Sequence, residues 1–294
     1  MKVFLIFIAM MSSVYAIEPL INTLWLNEHL GDPLLSIVEV SDGDSYELEH
    51  IPGAQHTGIN AWRFDNGTFF SIRSVEEIEK EISRLGIDLN SNVVLYAPIN
   101  NPKDLLKVSY IYWALHYHGV KNVALLDGGI GAWKSAKLPM NNVVPTIQPT
   151  LFKAHVDASK IADLKYVKEH LGKLPMIDAR PSDMYLGVTA TPTVKRNGHI
   201  KGGMSYSWNY SVDNNYIVKP KVMLESVFKE GYKLNKHKEI LLYCTGGLET
   251  SFNYFVLTGI LGYQNVRLYD ASMKEWGNRE DTSMVQYRYE MFDQ

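Results

Sequence analysis

His50-Ile51-Pro52-Gly53-Ala54 returns later in the chain as His199-Ile200-Lys201-Gly202-Gly203. Further pairs follow in the same order. Val93-Val94-Leu95-Tyr96-Ala97 is echoed by Ile240-Leu241-Leu242-Tyr243-Cys244, and Gly119-Val120-Lys121-Asn122-Val123 by Gly262-Tyr263-Gln264-Asn265-Val266. Leu126-Asp127-Gly128-Gly129, closing on Trp133, is matched by Tyr269-Asp270-Ala271-Ser272, closing on Trp276. Four ordered matches at nearly constant spacing mean that one unit is written twice. Between the copies, Pro139, Asn141, Asn142, Pro145 and Pro149 cluster without helical periodicity, so residues 139–150 read as a linker. In the second copy, short apolar runs at 175–178, 239–243 and 266–269 alternate with helical patterns at 222–231 and 250–261. Strands alternating with helices predict an α/β fold with a mainly parallel sheet, flanked by helices, in each copy. The expected domains are 17–138 and 151–294.

The 294 residues fit two domains at about 150 residues each. Lys and Arg number 29 against 32 Asp and Glu, a balance that gives no footprint for binding nucleic acid. At the N-terminus, Lys2 precedes an apolar run from Val3 to Met11 and then Ser12-Ser13-Val14-Tyr15-Ala16, which reads as a signal peptide over residues 1–16. The run is too short to span a bilayer. The expected product is exported, periplasmic or secreted, and free of the membrane after cleavage.

One cysteine excludes an internal disulfide and a Cys-rich metal site, and no spacing of His, Asp or Glu suggests a metal. Cys244 closes a predicted buried strand and precedes Thr245-Gly246-Gly247-Leu248-Glu249-Thr250, which opens a helix. Ligands of open α/β sheets bind at the carboxyl ends of strands. Two glycines let the backbone curl so that N–H groups from Thr245 to Thr250 face inward, and the helix start adds partial positive charge. Such a cradle is expected to lower a thiol pKa and to hold a thiolate or persulfide. The bland reading is a buried core cysteine; the placement between strand and helix favours a nucleophile.

The duplication, with one cysteine closing a strand in the second copy alone, resembles the two-domain rhodaneses, which include thiosulfate and 3-mercaptopyruvate sulfurtransferases. The likeness extends over the His-Ile motifs, Asp178-Ala179-Arg180, the Cys244 loop and Tyr269-Asp270-Ala271-Ser272 through Glu275-Trp276-Gly277. It implies two tandem rhodanese-like domains, the first non-catalytic with Ala97 in the cysteine's place. It also implies a Cys244 persulfide that takes sulfane sulfur from a small donor and passes it to a thiol, a cyanide-like acceptor or a protein, with no cofactor. Thiosulfate-type loops of that family carry cations at the two positions after cysteine; Thr245 and Gly246 stand here. Mercaptopyruvate-type loops place a serine where Gly246 stands. Asn60 replaces an aspartate after the first His-Ile motif, and Met184 an anion-binding arginine. Glu249 places a negative charge in the loop, which disfavours a dianionic donor.

Arg180 reads either as a substrate contact or as the ion-pair partner of Asp178. Arg196, beside Lys195, reads either as a replacement cation for the loop or as part of a solvated charge run. His50 and His199 read as turn-fixing residues, Asp127 and Asp270 as turn residues, and Trp133 and Trp276 as core or interface anchors. Residues 206–210, Tyr-Ser-Trp-Asn-Tyr, either line a cleft or pack. A rhodanese-fold binding or sulfur-relay module is the alternative function. A cysteine phosphatase or arsenate reductase is disfavoured, because Thr250 stands where an oxyanion-clamping arginine is needed.

Overall fold

A computed structural model describes residues 16–191 and 193–292. The proposed signal peptide, apart from Ala16, lies outside the described residues. The first copy contains β1 (Leu20–Ile21), α1 (Thr23–Glu28), β2 (Leu35–Val40), α2 (Asp44–Leu48) and β3 (Gln55–Thr57). A hairpin of β4 (Arg63–Asp65) and β5 (Phe70–Ile72) follows, then α3 (Val75–Arg84), β6 (Asn92–Tyr96), α4 (Pro102–Tyr117), β7 (Val123–Leu126) and α5 (Gly129–Ser135). The second copy begins with β8 (Ile161–Ala162), α6 (Leu164–Glu169), β9 (Met176–Asp178), α7 (Ser182–Leu186) and β10 (Gly203–Ser205). It ends with α8 (Lys221–Glu225), β11 (Ile240–Tyr243), α9 (Leu248–Phe255), β12 (Val266–Tyr269) and α10 (Ser272–Trp276).

The two five-stranded sheets have the orders β1-β7-β6-β2-β3 and β8-β12-β11-β9-β10, every pairing parallel. The orders are identical once the β4–β5 hairpin, which the second copy lacks, is set aside. The central strands β6 and β11 are buried along their whole length, as a parallel sheet covered on both faces requires.

The repeat extends to individual hydrogen bonds. His50 and His199 each stack on a tyrosine of the preceding helix, Tyr46 and Tyr185, with ring centroids 3.9 and 3.7 Å apart. Each histidine's backbone pairs with a tail of its own domain, His50 with Asn141 and His199 with Val285. Trp133 and Trp276 are fully buried in their own domains and donate Nε1–H to Pro139 O and Ser283 O, both at 2.8 Å. They are core anchors, and the histidines fix turns.

The domains meet through α4 and α9. Asn101 and Asp104 form a capping box, with Pro102 at the first helical position, so α4 starts sharply. It is apolar nearly all round because one side packs on its sheet and the other on α9. Ser109 Oγ and Ser251 Oγ lie 2.9 Å apart at the crossing. One apolar core runs from Val38 and Leu95 in the first domain through Trp113 and Phe252 to Leu242 and Leu268 in the second. Tyr206 and Trp208 belong to this core and pack, whereas Asn209 and Tyr210 are exposed.

Two boundaries differ from the sequence reading. The helix expected at 250–261 begins at Leu248 and ends in a π-helical turn over Val256–Ile260; that expected at 222–231 likewise widens into a π-helical turn after Glu225. The connection also continues beyond residue 150. Thr150 donates to Ser83 O, His155 to His118 O and Asp157 to Tyr117 O, so the segment stays on the first domain as far as Asp157. Those bonds go to carbonyls at the C-terminal ends of α3 and α4.

Candidate active site

β11 delivers Cys244 to the carboxyl edge of the second sheet, and α9 begins four residues later. Between them the backbone reverses, with Gly247 at φ +89°; a Cβ there would lie 2.1 Å from Asp270 Oδ1. Only glycine fits that turn against that carboxylate. Of the six amides from Thr245 to Thr250, those of Gly247 and Thr250 face the sulfur, and the carbonyls of Cys244, Thr245 and Gly246 bond away from it. Gly247 N–H donates to Cys244 Sγ at 3.0 Å, and the Thr250 amide and hydroxyl also face the sulfur. Outside, Cys244 O accepts Met273 N–H at 3.0 Å, Thr245 O accepts Lys274 N–H at 2.9 Å, and Gly246 O accepts Arg63 Nη2–H at 2.5 Å. Ser272 Oγ accepts Cys244 N–H at 3.0 Å and stands 4.0 Å from the sulfur. Leu248 leans on the shared core and its carbonyl accepts Ser251 Oγ–H.

The expected depression of the thiol pKa is overturned. Cys244 is fully buried, and burial pushes its pKa well up; the Glu249 carboxylate, hydrogen-bonded to the thiol, pushes it further. The Thr250 hydroxyl and amide pull in the other direction and lose. The cysteine is therefore held as a neutral thiol beside the Glu249 carboxylate.

Neither arginine named from sequence makes a hydrogen bond to the loop, although the Arg180 charge is close enough to interact with Cys244. Arg180, 2% exposed, grips Asp178 through Nε and Nη2 at 2.9 and 2.5 Å and donates to Gly198 O. Burial pulls its pKa down, and Asp178 more than offsets that. This is the structural ion pair rather than a substrate contact. Arg196 is corrected in the same way. Its guanidinium donates to Trp276 O, Gly277 O and Thr282 O, strapping the tail, because those carbonyls follow α10 without helical partners. Lys195 is exposed, Asn60 offers its carbonyl to Arg73, and Met184 Sδ accepts from Thr191.

The charges that bond to the loop and its neighbouring turn come from elsewhere. Arg63 of β4 lies in the domain interface with its guanidinium 4.5 Å from the Phe70 ring centroid and 4.7 Å from that of Tyr110. Asp270, read from sequence as a turn residue, accepts Ile72 N–H and Tyr110 O–H at 2.8 and 2.9 Å, and lies 4.0 Å from Arg63. Burial raises the Asp270 pKa, while Arg63 and these hydrogen bonds pull it back. Its counterpart Asp127 accepts Val218 N–H from the second domain. Each domain thus lends a turn aspartate that accepts a backbone N–H of the other, Ile72 of β5 and Val218. Sequence could not show Arg63 or Phe70, since the hairpin has no counterpart in the second copy. The repeated aspartates were the available signal. Among the described residues, no cluster of His, Cys, Asp and Glu could hold a metal ion, and no helix is long and apolar enough to cross a membrane.

A doubled parallel sheet with a single cysteine in an amide-lined loop matches a known domain. The rhodanese-like domain profile fits residues 22–136 and again 163–279. The chain belongs to the rhodanese-like family. It is similar to the sulfur carrier protein TtuD of Thermus thermophilus, 33% identical over 89% of this chain and 94% of that protein. It is also similar to the thiosulfate sulfurtransferase of Corynebacterium glutamicum, 29% identical over 89% of this chain and 88% of that protein. In fold it resembles the anaerobic ergothioneine biosynthesis enzyme of Chlorobium limicola, with TM-score 0.82 and 20% identity over 91% of this chain and 70% of that one. YnjE gives TM-score 0.80 and 20% identity over 92% of this chain and 69% of that one. This rhodanese-like chain is a sulfurtransferase of the rhodanese type.

Proposed function

We propose that Cys244 carries sulfane sulfur as a persulfide between a small donor and a thiophilic acceptor. The observation that carries this reading is the 3.0 Å hydrogen bond from Gly247 N–H to Cys244 Sγ, in a loop whose carbonyls at Cys244, Thr245 and Gly246 bond away from the sulfur. An amide-lined pocket stabilises negative charge on sulfur. Glu249 takes the thiol proton, and the Cys244 sulfur attacks the sulfane sulfur of the donor. The new S–S bond forms as the donor's bond to that sulfur breaks, and the donor remnant leaves with the electron pair. An acceptor thiolate or cyanide then attacks the outer sulfur, Cys244 departs as thiolate, and the proton returns from Glu249.

Glu249 beside the sulfur disfavours a donor with two negative charges, so neutral or monoanionic sulfane donors are preferred over thiosulfate. The domains of this reading are 17–138, a non-catalytic cover, and 151–294, the catalytic copy. The N-terminal pattern at residues 1–16 supports export, which N-terminal sequencing of the mature protein tests. The test of function is a panel of donors (thiosulfate, methanethiosulfonate, 3-mercaptopyruvate, polysulfide) with cyanide and a dithiol as acceptors. Turnover that Cys244→Ala abolishes is expected. No transfer from any donor overturns the reading. The raised thiol pKa and complete burial favour the second reading, a binding or sulfur-relay module; unchanged biological activity of Cys244→Ala would select the binding form of it.

A further inference from the structure

We propose that a cavity between the two domains, at the end of the molecule opposite Cys244, binds a small organic carboxylate held by Lys160. The cavity measures about 700 Å³, within the size range of small-molecule sites and, like many of them, at a domain boundary. Both domains and their connection build its wall: His116 in the last turn of α4, Asp157 and Lys160 of the connecting segment, and Tyr254 of α9. Lys121 and Gln264 also line it, and they lie just before β7 and β12. The cavity therefore opens at the amino edges of the strands, whereas Cys244 follows β11 at a carboxyl edge. It is a second site, and it stands or falls independently of the persulfide chemistry.

The wall is fixed in place by contacts of its own. Trp113 Nε1–H donates to Lys160 O at 3.0 Å and Asp157 N–H to Tyr117 O at 2.9 Å, which ties the connecting segment to α4. The His116 and Tyr112 ring centroids are 4.2 Å apart, and His116 Nδ1 stands 3.5 Å from the Tyr254 hydroxyl. A wall held this way loses little freedom when a ligand enters. Lys160 Nζ lies 3.4 Å from Asp157 Oδ2, and its charge also reaches His116. Burial first, and then Lys160, push the His116 pKa down to about 3, so the ring is neutral at pH 7. Tyr254 in turn feels the Asp157 charge. Four side chains from three segments thus form one electrostatic group. The lining holds two lysines against one aspartate, with neither arginine nor glutamate. The Lys160–Asp157 pair is partly open to solvent, at 22% and 44% exposure, so the ammonium can take a second partner. A monoanion balances the surplus positive charge, and the aromatic side chains in the wall suit a flat apolar body.

Binding of 4-fluorobenzoate to the full chain, followed by fluorine NMR, tests this, with neutral 4-fluorobenzamide as the control. Wild type is expected to bind the anion with Kd about 1 mM, the scale for a ligand of about ten non-hydrogen atoms. The amide should bind at least about tenfold more weakly. Lys160→Met, which keeps the stem and removes the charge, should weaken the anion about tenfold, the loss of one charged hydrogen bond, and leave the amide unchanged. Lys160→Arg, which keeps the charge, should bind the anion within about threefold of wild type. Asp157→Asn removes the competing carboxylate and keeps an acceptor for Ser159 N–H, so it should tighten the anion about threefold. Opposite shifts from two neighbouring substitutions are what a charge-selective site gives and a loss of structure does not. No saturable binding of the anion up to about 20 mM, equal affinity for the amide, or shifts of the same sign in Lys160→Met and Asp157→Asn would each overturn the inference. None of these readings depends on sulfur transfer, so failure of the persulfide reading leaves them intact.

Discussion

Replacing Arg63 by methionine tests how the first domain holds the cysteine loop. The guanidinium is the cation nearest Asp270, and both side chains are 6% exposed. Removing one member of a buried pair costs about 3–5 kcal/mol. Here the separation is 4.0 Å and Asp270 keeps Tyr110 and the Ile72 amide, so the lower end, about 3 kcal/mol, is expected at pH 8. The pH dependence has a definite sign. The folded-state pKa of Asp270 is already raised by burial, and Arg63 holds it down. Without Arg63 it rises further. A carboxyl whose folded pKa exceeds its unfolded value favours folding when protonated, and that contribution is lost as pH rises through the folded pKa. The deficit of Arg63→Met should therefore be smaller at pH 5 than at pH 8. Adding Asp270→Asn, which removes the uncompensated charge, should recover much of it. Urea titration followed by tryptophan fluorescence reads the stabilities, and the core that the two domains share supports one transition. Equal deficits at the two pH values, or no rescue by Asp270→Asn, would refute the coupling.

The other perturbations address the loop and its pseudo-symmetric counterpart. In Glu249→Gln the thiol pKa should fall while remaining above that of an exposed cysteine, because burial is the larger cause; the pH profile of iodoacetamide alkylation reads this shift. Gly247→Ala places a methyl 2.1 Å from Asp270 Oδ1 at φ +89°, so the turn must move, and sulfur transfer should drop at least about a hundredfold, the scale of losing one preorganised donor. Asp127→Ala removes the acceptor of Val218 N–H and should cost about 1 kcal/mol in the same urea titration, leaving kcat unchanged.

Much of the fold was legible because duplication and strand periodicity are local patterns. The parallel α/β organisation of each copy, the strand ending at Cys244 and the structural roles of His50, His199, Trp133 and Trp276 follow from residues that recur in both copies. The interface was not legible. Arg63 and Phe70 sit on a hairpin present in one copy, so no spacing rule links them to Cys244. Arg180 and Arg196 drew attention as cations near motifs, yet both are committed to internal carbonyls and, for Arg180, to Asp178. The thiol pKa went the opposite way for a physical reason: complete burial and the direction of Glu249 are products of the tertiary structure, not of the loop's own sequence. The π-helical turns after α8 and α9 were equally hidden, since an apolar stripe does not distinguish a widened last turn from an α-helical one.

The central claim is that sulfur resides covalently on Cys244 between donor and acceptor. The direct measurement is the intact mass of the full chain after brief exposure to methanethiosulfonate, followed by removal of the donor and addition of cyanide. The account predicts a gain of one sulfur atom, mapped to Cys244, absent from Cys244→Ala and discharged as thiocyanate on adding cyanide. Sulfur transfer that proceeds at the wild-type rate in Cys244→Ala, or a wild-type protein that never gains the sulfur, would contradict it.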